Sequence, residues 1–128
     1  MDAEDFRQAV EGLTETQEDD DTVRLSLSNQ ENFKMLIPEL KVLARANAHD
    51  KLLMVIGLKE MGQVVAATSD GINDIEALKN ADVGLAMGSG CAAAKLASDL
   101  ILTEDDFESS IRAIMWGRNI YHNVTRFL

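Results

Sequence analysis

One cysteine, one proline, one tryptophan and two histidines in 128 residues narrow the function classes before any motif is read. Cys91 has no partner, so no internal disulfide forms; a single thiol among alanines reads as packing and points to a reducing compartment. His49 and His122 are too isolated to suggest a metal pair. Basic side chains are scarce, 12 Lys and Arg against 22 Asp and Glu, for a net charge of −10. Without a basic stripe to neutralise phosphates, the chain is not a nucleic-acid binder. No run approaches the roughly 20 apolar residues that cross a bilayer. The N-terminus also lacks the basic and apolar regions of a signal peptide, so the chain as given is expected to be soluble.

The length suits one domain with one core, and 46% hydrophobic with 27% charged residues is ordinary for a globular protein. Charge is unevenly spread. Acidic residues crowd the first 22 positions against Arg7 alone, whereas Arg112, Arg118 and Arg126 make the end basic. Phe6, Val10 and Leu13 recur at helical spacing, and Thr14 to Asp21 reads as a solvated acidic loop. Ser28 and Glu31 form a capping-box pattern before a short helix that Pro38 ends.

Strands and helices then take turns. Val42-Leu43-Ala44 reads as a buried strand, Asp50 to Met61 as a helix, Val64-Val65-Ala66-Ala67 as a strand and Asp74 to Asn80 as a helix. Val83 to Met87 is the next strand, Cys91 to Ala97 a short helix, Leu100-Ile101-Leu102 a strand, and Asp106 onward a long helix. This alternation predicts an α/β fold with a mostly parallel sheet and flanking helices.

The chemistry concentrates at Thr68-Ser69-Asp70-Gly71-Ile72-Asn73-Asp74, where an apolar strand hands over to a helix. Ligands of open α/β sheets bind at such strand ends. Two carboxylates and an amide on one turn can hold a hard cation through oxygen, with magnesium and a phosphate as natural occupants, while Gly71 lets backbone approach closely. Asp70 and Asp74 read equally well as caps of the following helix. Lys51, at the start of the preceding helix, either reaches the same sheet edge to neutralise a phosphate or is one more solvated lysine.

Together these residues resemble the haloacid dehalogenase superfamily, whose Gly-Asp-Gly-x-x-Asp turn binds magnesium and whose earlier lysine binds phosphate. The longer match, Thr68 to Asp74, Ala77-Leu78-Lys79, Ala81-Asp82-Val83-Gly84 and Ala86-Met87-Gly88, is similar to the P-type ATPase branch. Leu43-Ala44-Arg45 with Asp50-Lys51, and Ala97 to Leu102, extend the resemblance over about residues 36 to 128. Met115-Trp116-Gly117-Arg118-Asn119-Ile120-Tyr121 is similar to the stalk of plasma-membrane-type calcium pumps.

The resemblance implies a partial Rossmann-like haloacid dehalogenase fold divided into an acidic helix and loop (1–22), the second half of a phosphorylation domain (23–106) and a stalk helix leading to a transmembrane segment (107–128). It implies Asp70 as magnesium ligand and Asp74 as a second carboxylate that orients the site. Asn73 would hold the phosphoryl group and Lys51 would balance its charge, with ATP as a ligand of the complete pump. The implied partners are the nucleotide-binding, actuator and transmembrane domains, with calcium as transported ion, at the cytoplasmic face of a membrane. The family's nucleophile segment Asp-Lys-Thr-Gly-Thr does not occur, since Asp50-Lys51 continues into Leu52-Leu53, so the chain alone is expected to be inactive. Alternatives are a fragment of a small-molecule phosphatase of the same superfamily and a non-catalytic interaction module.

Three positions depart from the family pattern: Ser69 stands for glycine, Ile75-Glu76 for a small residue and proline, and Ala46 to His49 for Ser-Ser-Pro. A side chain at 69 is expected to crowd a phosphate or to demand a backbone angle that suits glycine. Without the nucleophile strand, the strand beginning at Val64 is expected to expose an edge. The isolated chain would then self-associate, rearrange or stay loosely folded.

Overall fold

In the computed structural model, residues 1–17 and 23–128 are described. The first half is a helical layer with a hairpin. Helix α1 (Ala3–Val10) starts on an Asp2 cap and leads into strand β1 (Leu13–Gln17). Strand β2 (Val23–Leu27) pairs with β1 antiparallel, from Leu13 opposite Leu27 to Gln17 opposite Val23. The stretch expected as an acidic loop is therefore a strand as far as Gln17. Its remainder, and the boundary expected near Thr22, lie outside the described residues. The β-branched Thr14 and Thr16 suit a pleated surface, and Thr14 exchanges hydrogen bonds with Ser26 across the pair.

Helix α2 (Gln30–Leu36) begins one residue later than the capping-box pattern proposed. Asn29 is its cap, and the Asn29 side chain accepts from the Asn32 N–H at 3.1 Å. Helix α3 (Ala48–Glu60) carries the capping box of the chain, reciprocal bonds of 2.9 Å between Asn47 and Asp50. The core of this half is Phe6, Val10, Leu27, Phe33 and Leu53, with Phe6 and Phe33 packed edge to face at 6.1 Å.

Val42-Leu43-Ala44 does not form the expected strand. Ala44 bonds instead to the start of the chain, donating to the Met1 carbonyl and accepting from Ala3, each at 3.0 Å, as one isolated parallel bridge. Among the described residues the triplet pairs with no named strand, and it serves as a connector whose Leu43 packs on the core.

The second half is a parallel sheet in the order β3-β4-β5, with β3 Ala66–Ser69, β4 Val83–Met87 and β5 Leu100–Leu102. Its last two strands have the expected bounds. Strand β3 starts later than expected because Asp82 takes over the entry: the Asp82 carboxylate accepts from the Val65 N–H at 2.8 Å, and Val64 is left 86% exposed. A 3-10 turn (Ile72–Asp74) leads into α4 (Ile75–Asn80), and α5 (Ala92–Ala97) joins β4 to β5. Leu85 and Ala86 of the central strand are buried, as its position requires. On its other side β3 has no neighbouring strand among the described residues. Helix α6 (Phe107–Phe127) closes the chain with Ile111, Trp116, Tyr121 and Phe127 exposed. Among the described residues no helix is long and apolar enough to cross a membrane.

Candidate functional site at the exit of β3

Strand β3 ends at Ser69, and the next five residues reverse the chain into α4. Lys51 reaches this turn from the first turn of α3. Its Nζ donates to Asp74 Oδ2 at 2.7 Å, closing a contact between residues 23 apart in sequence. The Lys51 side chain is half exposed, while that of Asp74 is nearly covered.

The lysine is positioned by its neighbour. Asp50 is fully buried; it accepts two bonds from Arg7 Nη1, at 2.8 and 3.1 Å, and one from the Asn47 N–H. Helix α1 thus pins the start of α3, and Lys51 projects from that fixed end. Neither Arg7 nor Asn47 was singled out from the sequence, because nothing local marks a pairing across 43 residues.

Ser69 is the second residue whose part was not foreseen. Its hydroxyl donates to the same Asp74 Oδ2 at 2.9 Å and accepts from the Gly71 N–H at 3.2 Å, and the residue is 6% exposed. The feared backbone demand is absent: among the described residues only Glu11 and Arg45 are non-glycine residues at positive φ. Gly71 itself is extended, with φ −115° and open space where a side chain would be, so its use is room rather than an unusual angle.

Asp70 and Asn73 are exposed, and their side chains make no hydrogen bond or ion pair with other described residues. The structure therefore brings Lys51 and Asp74 together and leaves Asp70 and Asn73 facing solvent on the same turn. Magnesium takes one or two carboxylates and completes its shell with waters and phosphate oxygens. Free Asp70 suits that role, whereas Asp74 has Oδ2 already engaged. No group of three or more His, Cys, Asp or Glu is arranged to hold a metal among the described residues. The donors fit a cation shared with a phosphate, not an all-protein cage.

The turn is held from below by the loop after β4. Cys91 N–H donates to the Asp70 carbonyl at 2.9 Å. Ser89 N–H donates to Asp105 at 3.1 Å, which holds the Asp105 carboxyl below its ordinary 3.8. A Cβ on Gly90 would lie 2.9 Å from the Met87 carbonyl and 3.1 Å from the Asp70 backbone. Gly90→Ala is therefore expected to displace the Asp70 turn and to cost about 1–3 kcal/mol of stability. Amide shifts confined to residues 88–92 in a two-dimensional NMR spectrum would contradict that contact.

A groove of about 390 Å³ runs beside β3, with Leu43, Val55, Leu58 and Val65 among its apolar walls and Lys51, Ser69 and Asp74 in its polar lining.

No protein-family model matches the chain. Over 105 residues, 77% of its length, it is 50% identical to plasma membrane calcium-transporting ATPase 1 of Mus musculus, of which it spans 9%. Among solved structures it is similar to a zinc-transporting PIB-type ATPase in the E2.Pi state, with TM-score 0.60 and 23% identity, covering 95% of this chain and 25% of that one. It is also similar to 3-deoxy-D-manno-octulosonate 8-phosphate phosphatase from Moraxella catarrhalis, solved with magnesium and phosphate ions, at TM-score 0.50 and 15% identity, covering 90% and 85%. At these identities the structural likeness speaks for the fold, which is the α/β, haloacid dehalogenase-like arrangement expected from the sequence.

Proposed function

We propose that this chain, homologous to a segment of the plasma membrane calcium-transporting P-type ATPases, forms the part of such a pump's phosphorylation domain that faces the transferred phosphoryl group. The observation that carries this reading is the contact of Lys51 with Asp74 at 2.7 Å, at the exit of a parallel strand and beside an unengaged Asp70. An ammonium and a carboxylate turn at a strand's carboxyl end form a site for a phosphate and its counter-ion.

In this reading Lys51 neutralises a phosphoryl oxygen, Asn73 donates its amide to another, and Asp74 keeps the lysine in place. Asp70 would hold magnesium, with Asp74 as a second carboxylate, and the ion when bound would offset the charge of the phosphate. ATP, the nucleophilic aspartate, the nucleotide-binding, actuator and transmembrane domains, and calcium as cargo all belong to the complete pump at a membrane's cytoplasmic face. Residues 23–106 would carry the site and 107–128 the stalk. Alone, the chain has no carboxylate in an Asp-Lys-Thr-Gly-Thr setting and is proposed to be inactive. The free edge of β3 is then where a completing strand, or a second copy, would pair.

Titration of the chain with magnesium chloride and inorganic phosphate, followed by NMR, tests the reading. Amides of Asp70, Gly71, Asn73 and Lys51 are expected to move, and Asp70→Asn is expected to weaken the magnesium response at least about tenfold. A response centred on Asp105 and Asp106 would assign the ion elsewhere and sink it.

A further inference from the structure

We propose that the Ser69 hydroxyl is a positioning group that sets the affinity of the β3 turn for an anion, by holding Asp74 and sharing the oxygen that Lys51 contacts. The proposal rests on reading this turn as a phosphate site.

The geometry is specific. One hydroxyl has one proton and accepts through its lone pairs. Here the proton goes to Asp74 Oδ2 at 2.9 Å and the oxygen accepts from the Gly71 N–H at 3.2 Å. An alternative acceptor, the Gly71 carbonyl, is at 3.5 Å and competes poorly with a charged oxygen at the shorter distance. Ser69 is nearly buried, so water does not replace these bonds readily.

Asp74 Oδ2 therefore receives two donors, Ser69 Oγ and Lys51 Nζ. Two consequences follow from electrostatics. The carboxylate is fixed in one rotamer, which keeps Lys51 at the mouth of the turn. Part of the carboxylate's charge is also satisfied by the hydroxyl, so the ammonium is less fully neutralised and more available to a phosphate oxygen. Without the hydroxyl, Asp74 would be free to turn, and its remaining charge would bind the lysine against competition from an anion.

Ser69→Ala is accordingly expected to weaken inorganic phosphate binding about three- to tenfold, the range of one ordinary hydrogen bond, since the hydroxyl acts on the anion only through Asp74 and Lys51. Ser69→Cys keeps the volume but donates weakly, so it should show a similar loss, and Ser69→Thr should recover most of the affinity. The readouts are the phosphate midpoint at the Lys51 and Asn73 amides and the side-chain ammonium signal of Lys51, which should exchange more slowly with water in Ser69→Ala and Ser69→Cys, because Asp74 then holds it more tightly. Well-dispersed spectra establish that each variant is folded. Should Ser69→Thr misfold, the isosteric Ser69→Cys alone decides between packing and hydrogen bonding. Unchanged or tighter phosphate binding in Ser69→Cys overturns the proposal while leaving the site intact. If Lys51→Ala also leaves phosphate binding unchanged, it is the reading of the turn that falls.

Discussion

Phe33→Ala is expected to lower the free energy of unfolding by about 3–5 kcal/mol, a large share of what a domain of this size has. Phe33 is fully buried, lies edge to face with Phe6 at 6.1 Å, and occupies the space against Gly57 of α3. Three elements meet on one ring: α1, α2 and α3. Truncation leaves a void that none can fill alone, because Gly57 has no side chain and Leu27 and Leu53 are already packed in the same cluster. Urea unfolding with a lower midpoint and an unchanged slope is the expected record. A loss under about 1 kcal/mol would mean that α1 and α2 are not built on this core.

Arg7→Ala is expected to cost about 3 kcal/mol, the low end of what breaking a buried ion pair costs. The asymmetry of the pair sets the size. Asp50 is fully buried and the Arg7 side chain is 38% exposed, so removing the arginine strands a carboxylate that water cannot reach. Removing the charge of Asp50 instead leaves an arginine that can turn to solvent. A double-mutant cycle separates the two. In an Asp50→Asn background the cost of Arg7→Ala should fall below about 1 kcal/mol, since no buried charge remains. Equal costs in both backgrounds would mean that Arg7 acts by packing alone. A folded Arg7→Ala variant should also loosen the first turn of α3 and with it Lys51.

Both predictions concern contacts that the chain does not advertise. Asp50 reads as half of an Asp-Lys pair, yet it faces inward, as the last residue of a capping box that Asn47 opens and the partner of an arginine on another helix. Lys51, one residue on, faces outward. A change of one position moves a helical side chain by 100°, which separates the structural acid from the lysine at the candidate site. The hairpin was missed for a different reason. Leu13 to Gln17 carries charge and no apolar run, and a two-stranded ribbon with one face in water needs only Leu13, Leu25 and Leu27 facing inward, too weak a period to see. Val42-Leu43-Ala44 failed in the opposite direction, since an apolar triplet is compatible with a strand only when a partner strand lies beside it.

What the sequence determined by itself was local. Strands β4 and β5 have their expected bounds, and the Asp70 to Asp74 turn sits between strand and helix, because apolar runs and turn residues act over a few positions. The tertiary structure alone decided which groups meet. It put Arg7 on Asp50 across 43 residues and Lys51 on Asp74 across 23, turned Ser69 onto the same carboxylate as the lysine, and left Asp70 unengaged. Such pairings cost a loop-closure entropy that rises only slowly with loop length, but they join residues far apart in the chain and are met by collective packing, so no short window of sequence reveals them.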